Sequence, residues 1–265
     1  MPMPASRRAL SCCALLALWL LPLLARAGQG LLYPVFDMAP WAYFDAHCEA
    51  RGIAVETAQA IARRAGLPLR LPHERELEHG PPPEGVVLRL SAVPRRPGMA
   101  VVGSRPVFEI DLILVSAAPD RFTAPEALRG RRIGYDRDES RVRERLEALA
   151  AEAVPFPDYP AMVAALRAGT VEAVAGVREG LVYELRRGRD GAGLLRSALP
   201  LGRLPVWLHL DAAAPEDWAE RLESAVAGFV ESGRYASLRD RYLSRAAQGG
   251  LPLRLDCPPL TPAGP

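Results

Sequence analysis

The chain has 265 residues, with 33 basic against 31 acidic side chains and a net charge of +2. This near-balance gives no electrostatic case for nucleic acid or a membrane surface as partner. Every basic side chain is arginine or histidine, so Schiff-base and lysine-nucleophile chemistry is excluded.

Arg7 and Arg8 precede an apolar run from Ala9 to Leu24, and Ala25-Arg26-Ala27 closes it with small residues. Residues 1–27 therefore read as a secretory signal peptide cut before Gly28, the run being short for a spanning helix. Cys12 and Cys13 stand at the start of that run instead of its end, which argues against a lipid anchor. The expectation is a periplasmic protein, soluble and monomeric. Cys48 and Cys257 remain in a compartment that permits disulfides, and they can be either bridged or two free thiols.

Leu31 to Phe36 reads as a strand, and Gly52 to Ala65 as a helix with Ala54, Ala58, Ile61 and Ala65 on one face, ended by Gly66. Leu67 to Leu71 is a short strand, and His73 to Gly85 a loop around at most one helical turn. Val86 to Leu90 and Glu109 to Ser116 are apolar strands. A second alternating series follows. It comprises strands at Arg131 to Tyr135, Ala153 to Phe156 and Val171 to Ala175, and helices at Glu139 to Ala151, Pro160 to Ala168 and Gly180 to Arg187. After a Gly-rich turn at Gly188 to Gly193, Pro205 to Leu210 returns to strand. A long helix from Pro215 then carries Trp218, Leu222, Ala225, Val226 and Phe229 on one face. The last helix runs from Tyr235 to Ser244, before a Pro/Gly-rich tail. Strands alternating with helices argue for an α/β class with parallel sheets covered on both faces.

Several phrases, in order, resemble the extracellular solute-binding proteins of family 3, the receptors of polar amino-acid ABC importers. Ala39-Pro40-Trp41-Ala42-Tyr43-Phe44-Asp45 and Gly52-Ile53-Ala54-Val55-Glu56 are similar to that family's opening loop and first helix. Ser91-Ala92-Val93-Pro94-Arg95-Arg96 is similar to its serine-x-threonine-proline-glutamate-arginine run, and Ser104-Arg105-Pro106-Val107-Phe108 to its serine-x-proline-tyrosine. Leu128 to Tyr135, Ala164 to Val174 and Ser232-Gly233-Arg234-Tyr235 continue the likeness.

The resemblance implies a two-lobed periplasmic-binding-protein type 2 fold with two crossover strands as hinge. Lobe 1 would hold 28–113 and 205–265, lobe 2 would hold 114–204, and each half would fold on its own core. Closure over a solute works because only the closed state lets both lobes touch it. The implied partners are a small-molecule solute, an amino acid or related carboxylate, and an inner-membrane ABC permease, with no cofactor and no metal. By the same resemblance Arg96 takes a ligand carboxylate through its planar fork, with Arg95 the alternative if the loop shifts by one, and Ser91 and Ser104 beside it. Trp41 and Tyr43 would stack on the ligand, Tyr43 having core packing as its rival role.

Departures from the pattern matter too. Asp138, Glu139 and Ser140 occupy the place of a glycine-threonine-threonine whose free amides hold the carboxylate; two acids there repel an anion, and helix capping is the other reading of Glu139 and Ser140. The family's ammonium-binding aspartate aligns with Val177, leaving Glu179 as the nearest substitute. Two alternatives stay open: a cyclohexadienyl dehydratase-like enzyme on the same fold, with Glu179 the residue to suspect, and a ligand-sensing partner of a membrane receptor. No GxSxG, GxGxxG or P-loop pattern occurs, and His47, His73, His79 and His209 lack metal-ligand spacing.

Overall fold

The computed structural model describes residues 30–79, 84–118, 122–187, 198–247 and Cys257. The expected signal peptide, the Gly-rich turn at 188–193 and most of the C-terminal tail lie outside the described residues.

β1 (Leu31–Leu32) pairs in parallel with β4 (Leu69–Arg70) on one side and β5 (Val86–Ser91) on the other. Between β1 and β4 come a short hairpin, β2 (Tyr43–Phe44) and β3 (Ala50–Arg51), and helix α1 (Ile53–Ala65). α1 buries Ile53, Ala54, Ala58, Ile61 and Ala65 as one stripe, and Gly66 ends it in the left-handed region at φ 64°. Gly52, at φ 128°, sets its start: a Cβ there would lie 2.1 Å from the Trp41 carbonyl oxygen. Only glycine lets the loop carrying Trp41 lie against the helix. α2 (Glu74–His79) is six residues, longer than the single turn expected, because the Glu76 carboxylate accepts the His73 amide at 3.0 Å and closes its start.

β6 (Met99–Val102) leads into β7 (Phe108–Ser116), which enters the second half. That half is built of β8 (Arg132–Asp136), α3 (Ser140–Ala148), β9 (Glu152–Phe156), α4 (Tyr159–Arg167), β10 (Ala173–Val177) and α5 (Arg178–Arg187). β11 (Leu199–Asp211) then returns to the first half, followed by α6 (Glu216–Glu231) and α7 (Arg234–Ala247). The strand order is β4-β1-β5-β11-β7-β10-β8-β9, with β6 also on β11.

β7 and β11 are the two strands that cross between halves. β11 pairs antiparallel with β7 from Leu199 to Val206, and its last residues pair with β5 and β6. It starts six residues before the expected Pro205; the register shifts between Pro200 and Gly202, so this proline and glycine sit at an irregularity, where a strand tolerates them. β10 likewise runs on to Val177, and α5 begins at the next residue with no loop between them.

The halves are not separately cored, contrary to the expectation. Leu112 and Leu114 of β7 join one continuous apolar core with α1, α6, β8 and α3, while Ile113 and Val115 face a second cluster under α4 and α5. Strand alternation makes β7 the shared wall of both. Cys48 and Cys257 are disulfide-bonded, so the tail is tied to the β2–β3 hairpin.

Candidate functional site

A cavity of about 760 Å³ opens between the halves, within the size range of small-molecule sites. The first half lines it with Tyr33, Phe36, Asp37, Glu74, Arg89 and Arg96; the second half lines it with Asp136, Asp138, Glu139, Asp158, Tyr159, Glu184 and Arg187. A smaller apolar pocket of about 120 Å³ adjoins it through the shared residues Phe36, Met38 and Leu90. Trp41, Ser91, Phe108, Val177 and Val206 are among its other walls.

On the first-half wall the charges are nearly all paired. Arg89 donates to Glu74 at 2.7 Å, and the His73 ring, stacked on Phe44, meets Asp37 at 2.8 Å. Arg96 is the exception: its Nη1 donates to Ser91 Oγ at 3.3 Å, and it forms no ion pair among the described residues. Burial, and then the positive charge of Arg89, hold its guanidinium below its ordinary range.

The second-half wall is built differently. Asp136 ends β8, and its Oδ1 accepts the Asp138 amide at 3.0 Å. The Glu139 amide donates to the Asp136 carbonyl at 2.9 Å, and the Ser140 amide to the Asp138 carbonyl at 3.2 Å. Asp158 caps α4 by accepting the Ala161 amide at 2.8 Å. Next to it, Tyr159 donates its hydroxyl to Glu139 Oε1 at 2.6 Å and accepts the Val177 amide at 2.8 Å. The ring fits only because positions 176 and 180 are glycine; a Cβ at either would stand 2.8 to 2.9 Å from Tyr159 atoms.

The other carboxylate oxygen of Glu139, Oε2, is closed off from solvent with no hydrogen-bond partner among the described residues. Burial pushes this carboxyl up to about 8, with Asp136 adding to the shift and the Tyr159 hydroxyl and the nearby Val177 amide opposing it. Glu139 is therefore a neutral acid at pH 7. Asp136 is raised for the same reason, burial first, with Asp138 and Asp158 contributing. Glu184 is raised by burial against the pull of Arg187, 3.2 Å away.

The sequence-derived candidates divide accordingly. Arg96 and Glu139 line the main cavity, and Trp41 and Ser91 the adjoining pocket. Trp41 also stacks on Phe108 of β7, ring centroids 6.1 Å apart. Tyr43 does not reach either cavity; it is 3% exposed, held in the core by the β2–β3 pairing. Arg95 and Ser104 are exposed on loops and line neither cavity, Ser104 following the positive-φ turn at Gly103. Ser140 lines neither, and its amide is spent within the turn. Glu179 is the largest correction. Because α5 starts at Arg178, Glu179 falls about 140° round the helix from the cavity-lining Glu184 and is buried toward Arg239 of α7 and Asp111 of β7. Asp37, Glu74, Arg89, Asp136, Asp158, Tyr159, Glu184 and Arg187 were not singled out from the sequence. Asp158-Tyr159-Pro160 did carry a signal, an N-cap acid before proline at the first helical turn.

No family model matches the chain. No curated protein matches it in sequence either. Solved structures do match in fold. The GLUR0 ligand-binding core in complex with L-glutamate superposes with a TM-score of 0.63 at 16% identity, over 81% of this chain and 98% of that one. The second substrate-binding domain ascribed to an amino-acid ABC transporter of Streptococcus pneumoniae matches at 0.56 and 16%, over 81% and 100%. An ancestral amino-acid-binding protein described as a precursor of cyclohexadienyl dehydratase matches at 0.61 and 13%, over 84% and 98%. The chain has the two-lobed α/β fold of these binding proteins. Among the described residues no helix is long and apolar enough to cross a membrane.

Proposed function

We propose that this is a periplasmic solute-binding protein, exported by the segment at 1–27, that closes its lobes over a small polar solute and hands it to an inner-membrane ABC importer. The lobes would divide near 113/114 and 204/205, with β7 and β11 as hinge and a monomer as the working unit. The observation that carries the reading is the cleft itself: about 760 Å³ between the halves, with an Arg96 fork that no carboxylate of the described residues engages. The structural neighbours, solved with L-glutamate or described as amino-acid-binding proteins, support a solute of that size and polarity. A ligand stabilises the closed form only by touching both walls, and it does so by its differential affinity for that state. A thermal-shift screen of amino acids, organic acids and amines on the purified protein tests this, since a bound solute raises Tm in proportion to RT ln(1 + [L]/Kd). A flat response across all three classes refutes it.

One observation favours a second reading, a dehydratase-like enzyme. Glu139, not Glu179, is the protonated acid facing the cleft, and an acid poised near neutral pH can give a proton to a departing hydroxyl. Turnover of prephenate or arogenate that disappears in Glu139→Gln would establish it. Saturable binding without product would exclude it.

A further inference from the structure

Taking the cleft as the solute site of the preceding section, we propose that its solute is an organic cation that needs no carboxylate. The cationic group would lie against Asp136, Asp138, Asp158 and Glu139, and its apolar part in the pocket beside Trp41 and Val177. The two walls are electrically unequal. The first-half wall nearly cancels, Arg89 on Glu74 and Asp37 on His73. The second-half wall sets Asp136, Asp138, Asp158 and Glu184 against Arg187 alone, with Glu139 a neutral acid beside them, and Arg187 is engaged by Glu184. An anion brought to the β8–α3 turn and the α4 cap would meet repulsion from Asp136, Asp138 and Asp158.

The place where an anion could otherwise be received is occupied. The amides of Asp138, Glu139 and Ser140 at the start of α3 all donate within their own turn, to Asp136 Oδ1, the Asp136 carbonyl and the Asp138 carbonyl. The helix start therefore offers carboxylates and no free donors among these three amides. A second, independent observation points to a ligand. Oε2 of Glu139, almost wholly buried, and Oδ1 of Asp37, from the facing wall, both lack a hydrogen-bond partner among the described residues, and both residues line the cavity; a cation brought between them favours ionised Glu139 and makes Oε2, like Asp37 Oδ1, an acceptor. Acceptors stranded on both sides of one cavity call for a donor-rich group such as an ammonium or guanidinium. A metal ion does not answer this need: among the described residues no three His, Cys, Asp or Glu side chains gather closely enough to hold one.

The apolar end follows from Val177. It closes β10, lines the small pocket with Trp41 and Phe36, and stands one hydroxyl away from Glu139 through Tyr159. The small pocket is lined by hydrocarbon here, and the acids stand at the β8–α3 turn and the α4 cap. A molecule with a cationic head and an apolar body of a few carbons spans the two.

Isothermal titration calorimetry of the purified protein with agmatine, tyramine, L-arginine and L-glutamate tests this, at low and at moderate salt. The expected result is binding of agmatine or tyramine within tenfold of L-arginine and tighter than L-glutamate, weakening as salt rises. The double variant Asp138→Asn/Asp158→Asn, which keeps the capping oxygen at 158, should unfold at the same temperature without ligand and bind the amine about tenfold more weakly. Binding of L-glutamate with none of either amine overturns the cation proposal and leaves a solute-binding protein standing. Amine binding that the double variant does not weaken overturns the placement at this wall. Failure of all four compounds overturns both this proposal and the reading it rests on.

Discussion

Glu139→Gln should make the protein less sensitive to alkali. The wild-type carboxyl titrates near 8 in the folded chain against an ordinary 4.5, and burial is the main cause. For an acid raised in this way the unfolded chain releases its proton first. The stabilising contribution is therefore complete below about pH 4.5 and is lost as pH rises through about 8. Between pH 6 and 9 the linkage integral amounts to about 3 kcal/mol, and for a chain of this size that is roughly 10 °C in Tm. Glutamine is neutral throughout, fits the same space and still presents an oxygen to the Tyr159 hydroxyl. Other buried acids, Glu179 at about 7 among them, titrate in both proteins, so the quantity to follow is the difference between variant and wild type. Thermal unfolding followed by circular dichroism at half-unit steps from pH 5 to 9 gives that difference directly. It should climb in favour of Glu139→Gln from pH 5 to 8 and level off toward pH 9. Parallel curves, separated by a constant few degrees, would refute a neutral buried Glu139.

The same acid predicts that affinity for a cationic solute rises with pH between 6.5 and 9, because a bound cation favours the ionised carboxylate; calorimetry at three pH values checks the sign. Arg96→Ala should cost roughly 1.5 to 3 kcal/mol of affinity for a carboxylate-bearing solute such as L-arginine and leave agmatine no weaker, by calorimetry on the same two ligands. Gly176→Ala places a Cβ 2.8 Å from the Tyr159 hydroxyl, so it should destabilise by about 1–3 kcal/mol and flatten the pH-dependent Tm difference attributed to Glu139. Cys48→Ser/Cys257→Ser opens a bridge between residues 209 apart, for which the chain-entropy estimate is about 5 kcal/mol as an upper value; denaturant unfolding with and without reductant should show a loss of several kcal/mol.

Elements whose physics is local were legible in the sequence. α1 carries its apolar stripe and its glycine stop in a single window, and so does α6 with Trp218, Leu222, Ala225, Val226 and Phe229. What depended on distant partners was not. The first eight residues of β11 contain Pro200, Gly202 and Pro205 and have no strand pattern of their own; β7 across the hinge holds them extended. The β2–β3 hairpin is two residues a side and depends on packing around Gly52 and Trp41. The same rule divides the site. Arg96 and Trp41 stood out because they sit in recognisable phrases, and both reach the cleft system. Glu179 is near Val177 in sequence only, because helix geometry turns it toward Arg239 and Asp111.

The cavity residues without a signature in the sequence share a cause. Asp136, Asp158, Tyr159 and Glu184 lie on a strand end, a helix cap, a first turn and a helix middle, each with an ordinary local reason to be what it is. Only the fold brings them onto one wall. Tyr159 shows how little local signal such a wall leaves: its partners are two glycines, Gly176 and Gly180, one amide and one acid. Two missing Cβ atoms admit the ring, the ring orders Glu139, and Glu139 keeps one oxygen without a hydrogen-bond partner among the described residues. Val177 brings hydrocarbon to the small pocket at the end of β10, and the β8–α3 turn and the α4 cap bring carboxylates to the cavity beside it. The proposed cation site therefore depends on how β10, the β8–α3 turn and the α4 cap meet, and on no one of them alone.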